Sequence, residues 1–229
     1  MKGRPTLPQK PLGPDAGLRQ LLEVYCDTSL GFRLFLMHRW WHASLSAVER
    51  LLPPEGRILD VGCGHGIAAN LFGLRGPRRT IVAIERHPAK AAVARGRVCN
   101  VEVVEGDALT TPLPPVDVVT FIDVLHHLDS WHAQEQLLDV ASALLPPGGT
   151  LLVKEVTRSR PLRFAATLIL DNLAYPGERF FFRRHEEFVA LLEQRGFAVN
   201  VVPLWRRVPY AHVTLCARKL AASPSTTGG

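Results

Sequence analysis

Short apolar runs alternate along the chain with stretches in which apolar residues recur every three or four positions. Seven runs read as strands: RILDV (57–61), TIVAIE (80–85), VEVVEG (101–106), VDVVTFID (116–123), TLLVKEV (150–156), FAVNVVP (197–203) and HVTLCAR (212–218). The first five are dense in valine, isoleucine and leucine with little alternation, the pattern of parallel strands covered on both faces. Helical periodicity fills the gaps at 66–75, 88–97, 131–145 and 185–195. The third of these has Asp129 or Ser130 to cap it and Pro146 to stop it. Strand and helix in alternation predict a doubly wound α/β sheet. Its last two strands, separated only by a loop, are expected to pair antiparallel.

Composition bounds this picture. With 229 residues, 47% of them hydrophobic, the chain has material for one sizeable core, expected over 18–220. Lysine and arginine exceed aspartate and glutamate by 27 to 21, with small basic groups at 75–79 and 180–185, an excess too diffuse to indicate nucleic acid. Cys26, Cys63, Cys99 and Cys216 form no CxxC pair, so neither a zinc site nor a disulfide framework is indicated and a reducing cytoplasm is expected. The first 17 residues carry Pro5, Pro8, Pro11 and Pro14 and no apolar core of a secretory signal; they read as a disordered leader, with PxxP spacing suited to an extended helix. Residues 221–229 read as a disordered tail, and no apolar run approaches the roughly 20 residues that span a bilayer.

The candidate chemistry begins at RILDVGCGHG. In a doubly wound sheet, ligands sit beyond the carboxyl ends of the strands, and glycines there let the backbone turn and approach a ligand closely. A dinucleotide fingerprint would need glycine or alanine where Ile67 stands. What stands instead is Asp60 followed by Gly62, Gly64 and Gly66, a DxGxGxG arrangement that resembles motif I of the class I S-adenosylmethionine-dependent methyltransferases. The resemblance continues through Glu85 at the end of the second strand, GDA at 106–108, FIDVLHHL at 121–128 and PPGGTLLVKEV at 146–156. It implies a seven-stranded sheet ordered 3-2-1-4-5-7-6 with strand seven antiparallel, and S-adenosylmethionine as cofactor. It also implies that Glu85 holds the ribose hydroxyls and Asp107 the adenine amino group. Asp60, Gly62, Cys63, Gly64, Gly66, Arg86, Ala108 and Asp123 complete the expected cofactor set.

Methyl transfer is an in-line displacement, so alignment of the nucleophile is the main requirement and a base is an aid. His126 and His127 follow strand four; being adjacent they point in different directions, and His127 is the one expected to face the acceptor. Lys154 and Glu155 close strand five, where again only one leads into the pocket. No NPPY-type motif follows strand four and no cysteine lies between Cys99 and Cys216. Of the Lys-Asp-Lys-Glu tetrad of RNA ribose enzymes only Asp123 and Lys154 match. These departures leave no nucleic-acid partner expected; the expectation is a small acceptor methylated at oxygen, and the additions around the core point to its being apolar. A non-catalytic cofactor-binding subunit and a peripheral membrane or interaction module are the alternatives.

Two additions flank the core. Phe32 to Leu52 places Leu34, Met37, Trp41, Leu45, Val48 and Leu52 on one helical face, expected to cap the acceptor pocket within a helical cap over 18–52, with Arg39, His42, Ser46 and Glu49 opposite. His38 and His42 have the spacing of metal ligands but no third ligand, so they read as a surface pair and no metal is expected. The insert over about 157–184 begins with a proline-started apolar helix and ends in three phenylalanines before Arg183 and Arg184. It reads as a lid, as an interfacial patch whose arginines meet lipid phosphates, or as extra core or a dimer face. The expected setting is a bacterial cytoplasm, with peripheral contact at the inner membrane face.

Overall fold

In the computed structural model, which describes residues 16–174, 177, 179–204 and 210–221, seven strands hydrogen-bond into one sheet. They are β1 (Glu55–Val61), β2 (Arg78–Glu85), β3 (Val101–Glu105), β4 (Val118–Ile122), β5 (Thr150–Val156), β6 (Phe197–Pro203) and β7 (His212–Lys219). The order is β3-β2-β1-β4-β5-β7-β6, with β7 antiparallel to both neighbours and the remaining pairs parallel. Strand order and the antiparallel β7 agree with the sequence expectation.

Consecutive strand residues feed opposite cores, as a pleat requires. Ile58 and Ile81 join a cluster beneath α1 (Ala16–Val24), α2 (Leu30–His42), α3 (Leu45–Glu49), α4 (Ile67–Arg75) and α5 (Pro88–Ala94). Leu59 and Val82 join the other, beneath α6 (Trp131–Leu144) and α8 (His185–Gln194). All of β4 is buried, which is why its run shows no alternation. Ser130, not Asp129, caps α6, its Oγ accepting from Ala133 N at 3.1 Å.

The first described helix of the amino-terminal cap already includes Gly17, which lies under the Trp40 ring: a Cβ there would come within 2.6 Å of Trp40 Cη2. The cap differs from its sequence pattern in two ways. The single helix expected over 32–52 is two, broken where Ser44 takes φ +50°. And the buried face of α2 is Leu36 and Trp40, packed in one cluster with Leu21 and Tyr25, while Leu34, Met37 and Trp41 face outward. The segment is apolar nearly all round, so periodicity alone could not choose between its faces; Leu45, Val48 and Leu52, beyond the break, are buried as expected. His42 is buried too, its ring 4.6 Å from that of His212, so His38 and His42 are not a surface pair.

In the insert, α7 (Pro161–Ala174) starts at its proline. Phe182 is buried against Val156 and Ala211 with Phe164 and Phe180 around it, and Arg183 donates to Gln134 Oε1 (2.8 Å) and Glu135 Oε1 (2.7 Å). These aromatic residues therefore pack inward as extra core, and Arg183 is engaged by the protein rather than presented to phosphates. The leader through Asp15 and the tail from Ala222 lie outside the described residues.

Candidate active site

The end of β1 turns through Gly62 (φ +67°), Gly64 (φ +56°) and Gly66 (φ +75°) into α4. At Gly62 a Cβ would lie 2.1 Å from Val124 Cγ2, whereas at Gly64 it would meet nothing within 4 Å. Gly62 is thus required by packing, and Gly64 borders open space. Glu85, ending β2, fixes this loop: its Oε2 accepts from Gly64 N and its Oε1 from His87 N, both at 2.8 Å. From the other side the cap pins the loop, since Tyr25 Oη donates to His65 O at 2.7 Å and the His65 ring lies against Phe32 and Phe35.

The loop forms one wall of a cavity of about 320 Å³ at the carboxyl ends of β1, β2 and β4. All ten expected cofactor positions fall on this edge, and Asp60, Glu85, Arg86, Asp107, Ala108 and Asp123 line the cavity along with Gly62, Cys63 and Gly64; Gly66 lies just behind, its α-carbon facing Ala94. Asp107 Oδ1 accepts from Leu109 N at 2.9 Å. Burial pushes the Cys63 thiol up, so it is protonated and inert. Asp60 is the odd member. Its Oδ1 accepts from Thr120 Oγ1 at 2.6 Å, but its buried Oδ2 has no protein partner, and burial raises the carboxyl to about 7.

A charged knot closes one end. Asp123, at φ +54°, receives Lys154 Nζ at 2.5 and 2.7 Å on its two oxygens and Arg39 Nη1 at 2.8 Å on Oδ2. Burial opposes its charge, yet the Lys154 and Arg39 cations hold the carboxyl well below its usual range. Burial also lowers Lys154, against the pull of Asp123. His212 Nδ1 lies 2.9 Å from His42 O and 3.2 Å from Lys154 Nζ; the shorter contact assigns the proton to Nδ1, donating to the carbonyl. Burial, with Lys154 adding, keeps His212 neutral and lowers His42 to about 3.

The two pairs expected to carry acceptor chemistry are separated by the structure. His127 lines the cavity; His126 does not, and its Nδ1 lies 2.5 Å from Glu155 Oε2. Glu155 Oε1 accepts from Val124 N (2.9 Å) and Leu125 N (2.7 Å), so this carboxylate holds the 3-10 turn Leu125–His127 that carries His127 to the cavity wall. Neither Lys154 nor Glu155 lines the cavity; each engages its own partner rather than the other. Arg39 and Phe35 do line it, and sequence reasoning missed both, having set Arg39 on the face away from the pocket. Among the described residues no group of three His, Cys, Asp or Glu side chains is arranged to hold a metal.

A sheet of this order with a glycine turn after β1 and an acid ending β2 defines a class I S-adenosylmethionine-dependent methyltransferase fold. A family model described as a methyltransferase domain matches residues 37–201, and the chain belongs to that family. It is 29% identical over 154 residues to the ubiquinone biosynthesis O-methyltransferase of Xanthomonas campestris pv. campestris, covering 58% of this chain and 62% of that protein. It is 31% identical over 157 residues to the acetylserotonin O-methyltransferase of Mus musculus, covering 64% of this chain and 40% of that protein. The matched region thus spans less than two thirds of these curated relatives. Among solved structures, a Thermotoga maritima protein described as a methyltransferase, possible histamine N-methyltransferase, superposes with a TM-score of 0.65 at 26% identity over 87% of this chain and 98% of that one. The mitomycin 7-O-methyltransferase MmcR gives 0.66 at 22% over 87% and 60%.

S-adenosylmethionine is the methyl donor of this class, and the cavity fits it. Glu85 and Asp107 line the side beyond β2 and β3, where their free lone pairs suit hydroxyl and amino donors. The unpartnered Asp60 Oδ2 suits an ammonium, and the room above Gly64 admits a ligand against the backbone.

Proposed function

We propose that the chain transfers the methyl group of S-adenosylmethionine to a hydroxyl oxygen of a small, largely apolar acceptor. The observation that carries this reading is the continuity of one cavity: the cofactor-fitting wall of Gly64, Glu85 and Asp107 runs without a partition to Phe35, Leu128 and His127. The naming of both curated relatives as O-methyltransferases supports oxygen as the atom, and the apolar side chains at the His127 end support an apolar acceptor.

In this reading Asp60 binds the cofactor's ammonium and Arg39 its carboxylate, the guanidinium bringing N–H donors that Asp123 and Ile122 O leave unused. Glu85 and Asp107 hold the ribose and the adenine. The bound cofactor supplies an electrophilic methyl on a sulfonium. Phe35 and the cap exclude water, and His127 takes the hydroxyl proton as the oxygen attacks, a role suited to imidazole near neutrality. Glu155 and His126 position that histidine without touching the acceptor.

The test is transfer of labelled methyl from S-adenosylmethionine to a panel of phenols and hydroxyquinones, on wild type and His127→Ala. The expected result is turnover on at least one apolar hydroxyl compound, lowered roughly 100-fold or more by His127→Ala with S-adenosylhomocysteine affinity retained. Turnover confined to amines, or no thermal shift with S-adenosylhomocysteine, would overturn the reading.

A further inference from the structure

Of the ten large apolar side chains that are exposed among the described residues, seven lie on α2 and α7. On α2 they form a stripe spaced four, three and four residues apart: Leu30 is 67% exposed, Leu34 56%, Met37 40% and Trp41 61%. On α7, Leu162 is 89% exposed and Ile169 63%. The two helices flank one edge of the molecule. Thr167 Oγ1 of α7 accepts from Ala211 N, and the ring of the adjoining Tyr210 lies 4.4 Å from that of His42 at the end of α2. It is also the cavity's edge, since Phe35 and Arg39 on α2 line it.

The sequence carrying these side chains is basic. Between Asp27 and Glu49 the charged residues are Arg33 and Arg39, the second paired with Asp123; between Glu155 and Asp171 they are Arg158, Arg160 and Arg163. In a chain of 27 basic and 21 acidic residues this is a local departure from mixing. A two-fold contact between copies would set this face against itself and bring like charges together. An anionic lipid surface complements it, apolar side chains entering the interface and arginines meeting headgroup phosphates.

We propose that α2 and α7 dock the protein on an anionic bilayer, with the cavity edge toward the lipid. Docking by this face does not depend on methyl transfer. Joined to the proposed function, it lets an apolar acceptor enter past Phe35 from the membrane rather than from water.

The test is co-sedimentation of the full chain with vesicles of phosphatidylcholine alone or mixed with phosphatidylglycerol, for wild type, Leu34→Glu/Trp41→Glu and Arg33→Glu. None of these three residues lines the cavity, so an unchanged thermal shift with S-adenosylhomocysteine certifies each variant as folded. Wild type is expected to bind the mixed vesicles, more weakly at high salt. The paired variant should lose binding, and Arg33→Glu should weaken it roughly tenfold. Failure of wild type to bind, or binding untouched by the variants, overturns the proposal. So does a concentration-dependent dimer that the paired variant dissociates in the absence of vesicle binding. Absence of the S-adenosylhomocysteine shift would count against the cofactor reading alone.

Discussion

Arg39 Nη1 lies 2.8 Å from Asp123 Oδ2, so a helix of the amino-terminal cap is tied by an ion pair to the end of β4 at the edge of the cavity. The same guanidinium lines the cavity, and in the proposed function it is the cation offered to the cofactor's carboxylate. Removing a charged hydrogen-bond donor costs about 1.5 to 3 kcal/mol, equivalent to roughly 10- to 100-fold in affinity. Arg39→Ala should weaken S-adenosylhomocysteine by that factor in calorimetry, while adenosine, which lacks the amino-acid part, should bind wild type and variant alike. Equal losses for both ligands would place Arg39 in the architecture of the cap instead.

Asp60 predicts a pH dependence. Its carboxyl, raised to about 7 by burial, is protonated in much of the unliganded protein at neutrality. An ammonium binds the ionised form, so binding must expel that proton at lower pH. Cofactor affinity should then fall roughly tenfold between pH 8 and pH 6, as the ionised fraction falls. In Asp60→Asn the affinity should be weak throughout and the slope absent. A slope that persists in the asparagine variant would assign the titration to another group.

The glycines divide into two kinds. At Gly62 both the φ of +67° and the 2.1 Å approach to Val124 Cγ2 oppose a side chain. Gly62→Ala should therefore destabilise the fold by about 2 to 4 kcal/mol, combining backbone strain with overpacking. At Gly64 only the backbone term applies, about 1 kcal/mol, because nothing lies within 4 Å. Gly64→Val should fold and lose the thermal shift with S-adenosylhomocysteine, since its side chain enters the ligand's space. Urea unfolding of both variants separates the two effects; similar stability losses would contradict the division.

The sheet was legible because buried parallel strands leave a mark no surface element shares: β4 is apolar but for Thr120, and the acids Asp60 and Glu85 interrupt the apolar runs of β1 and β2, with Asp107 just beyond β3, at the edge where ligands sit. The cap was not. Leu36 and Trp40 differ from Leu34 and Trp41 only in which side α1 happens to cover, and that depends on Gly17 lying under Trp40, a contact across the chain that no period encodes. Arg39 was lost with that face. Glu155 was legible as an acid at the strand end, but its direction, into the backbone of the turn bearing His127, followed from tertiary packing.

The buried histidines and Asp60 act on stability in opposite directions, and a variant can separate them. His42 is lowered to about 3 by burial, with Lys154, Arg39 and His38 adding and Asp123 opposing; His212 is lowered by the same kind of surroundings. Above pH 6.5 each is neutral whether folded or unfolded. As pH falls below 6.5 the unfolded chain takes up protons that the folded one refuses, so stability falls by about 1 kcal/mol per pH unit for each histidine, down toward pH 3 for His42. Asp60 has the opposite sign: its folded value lies above the unfolded one near 4, so the stability it confers is present below about 4 and is lost as pH rises through 7. Between pH 7 and 5 it therefore offsets one histidine. Asp123, held low, takes no part in that window, since its contribution is lost only below its unfolded value near 4. Wild type should lose about 1 kcal/mol per unit from pH 7 to 5, the share of the histidine that Asp60 does not offset, Asp60→Asn about 1 kcal/mol per unit more, and Asp60→Asn/His42→Asn should return toward the wild-type slope. Urea midpoints at pH 7, 6 and 5 measure this directly. Parallel profiles for wild type and Asp60→Asn would mean that Asp60 ionises alike in the folded and unfolded chain, and that its unpaired oxygen is reached by water.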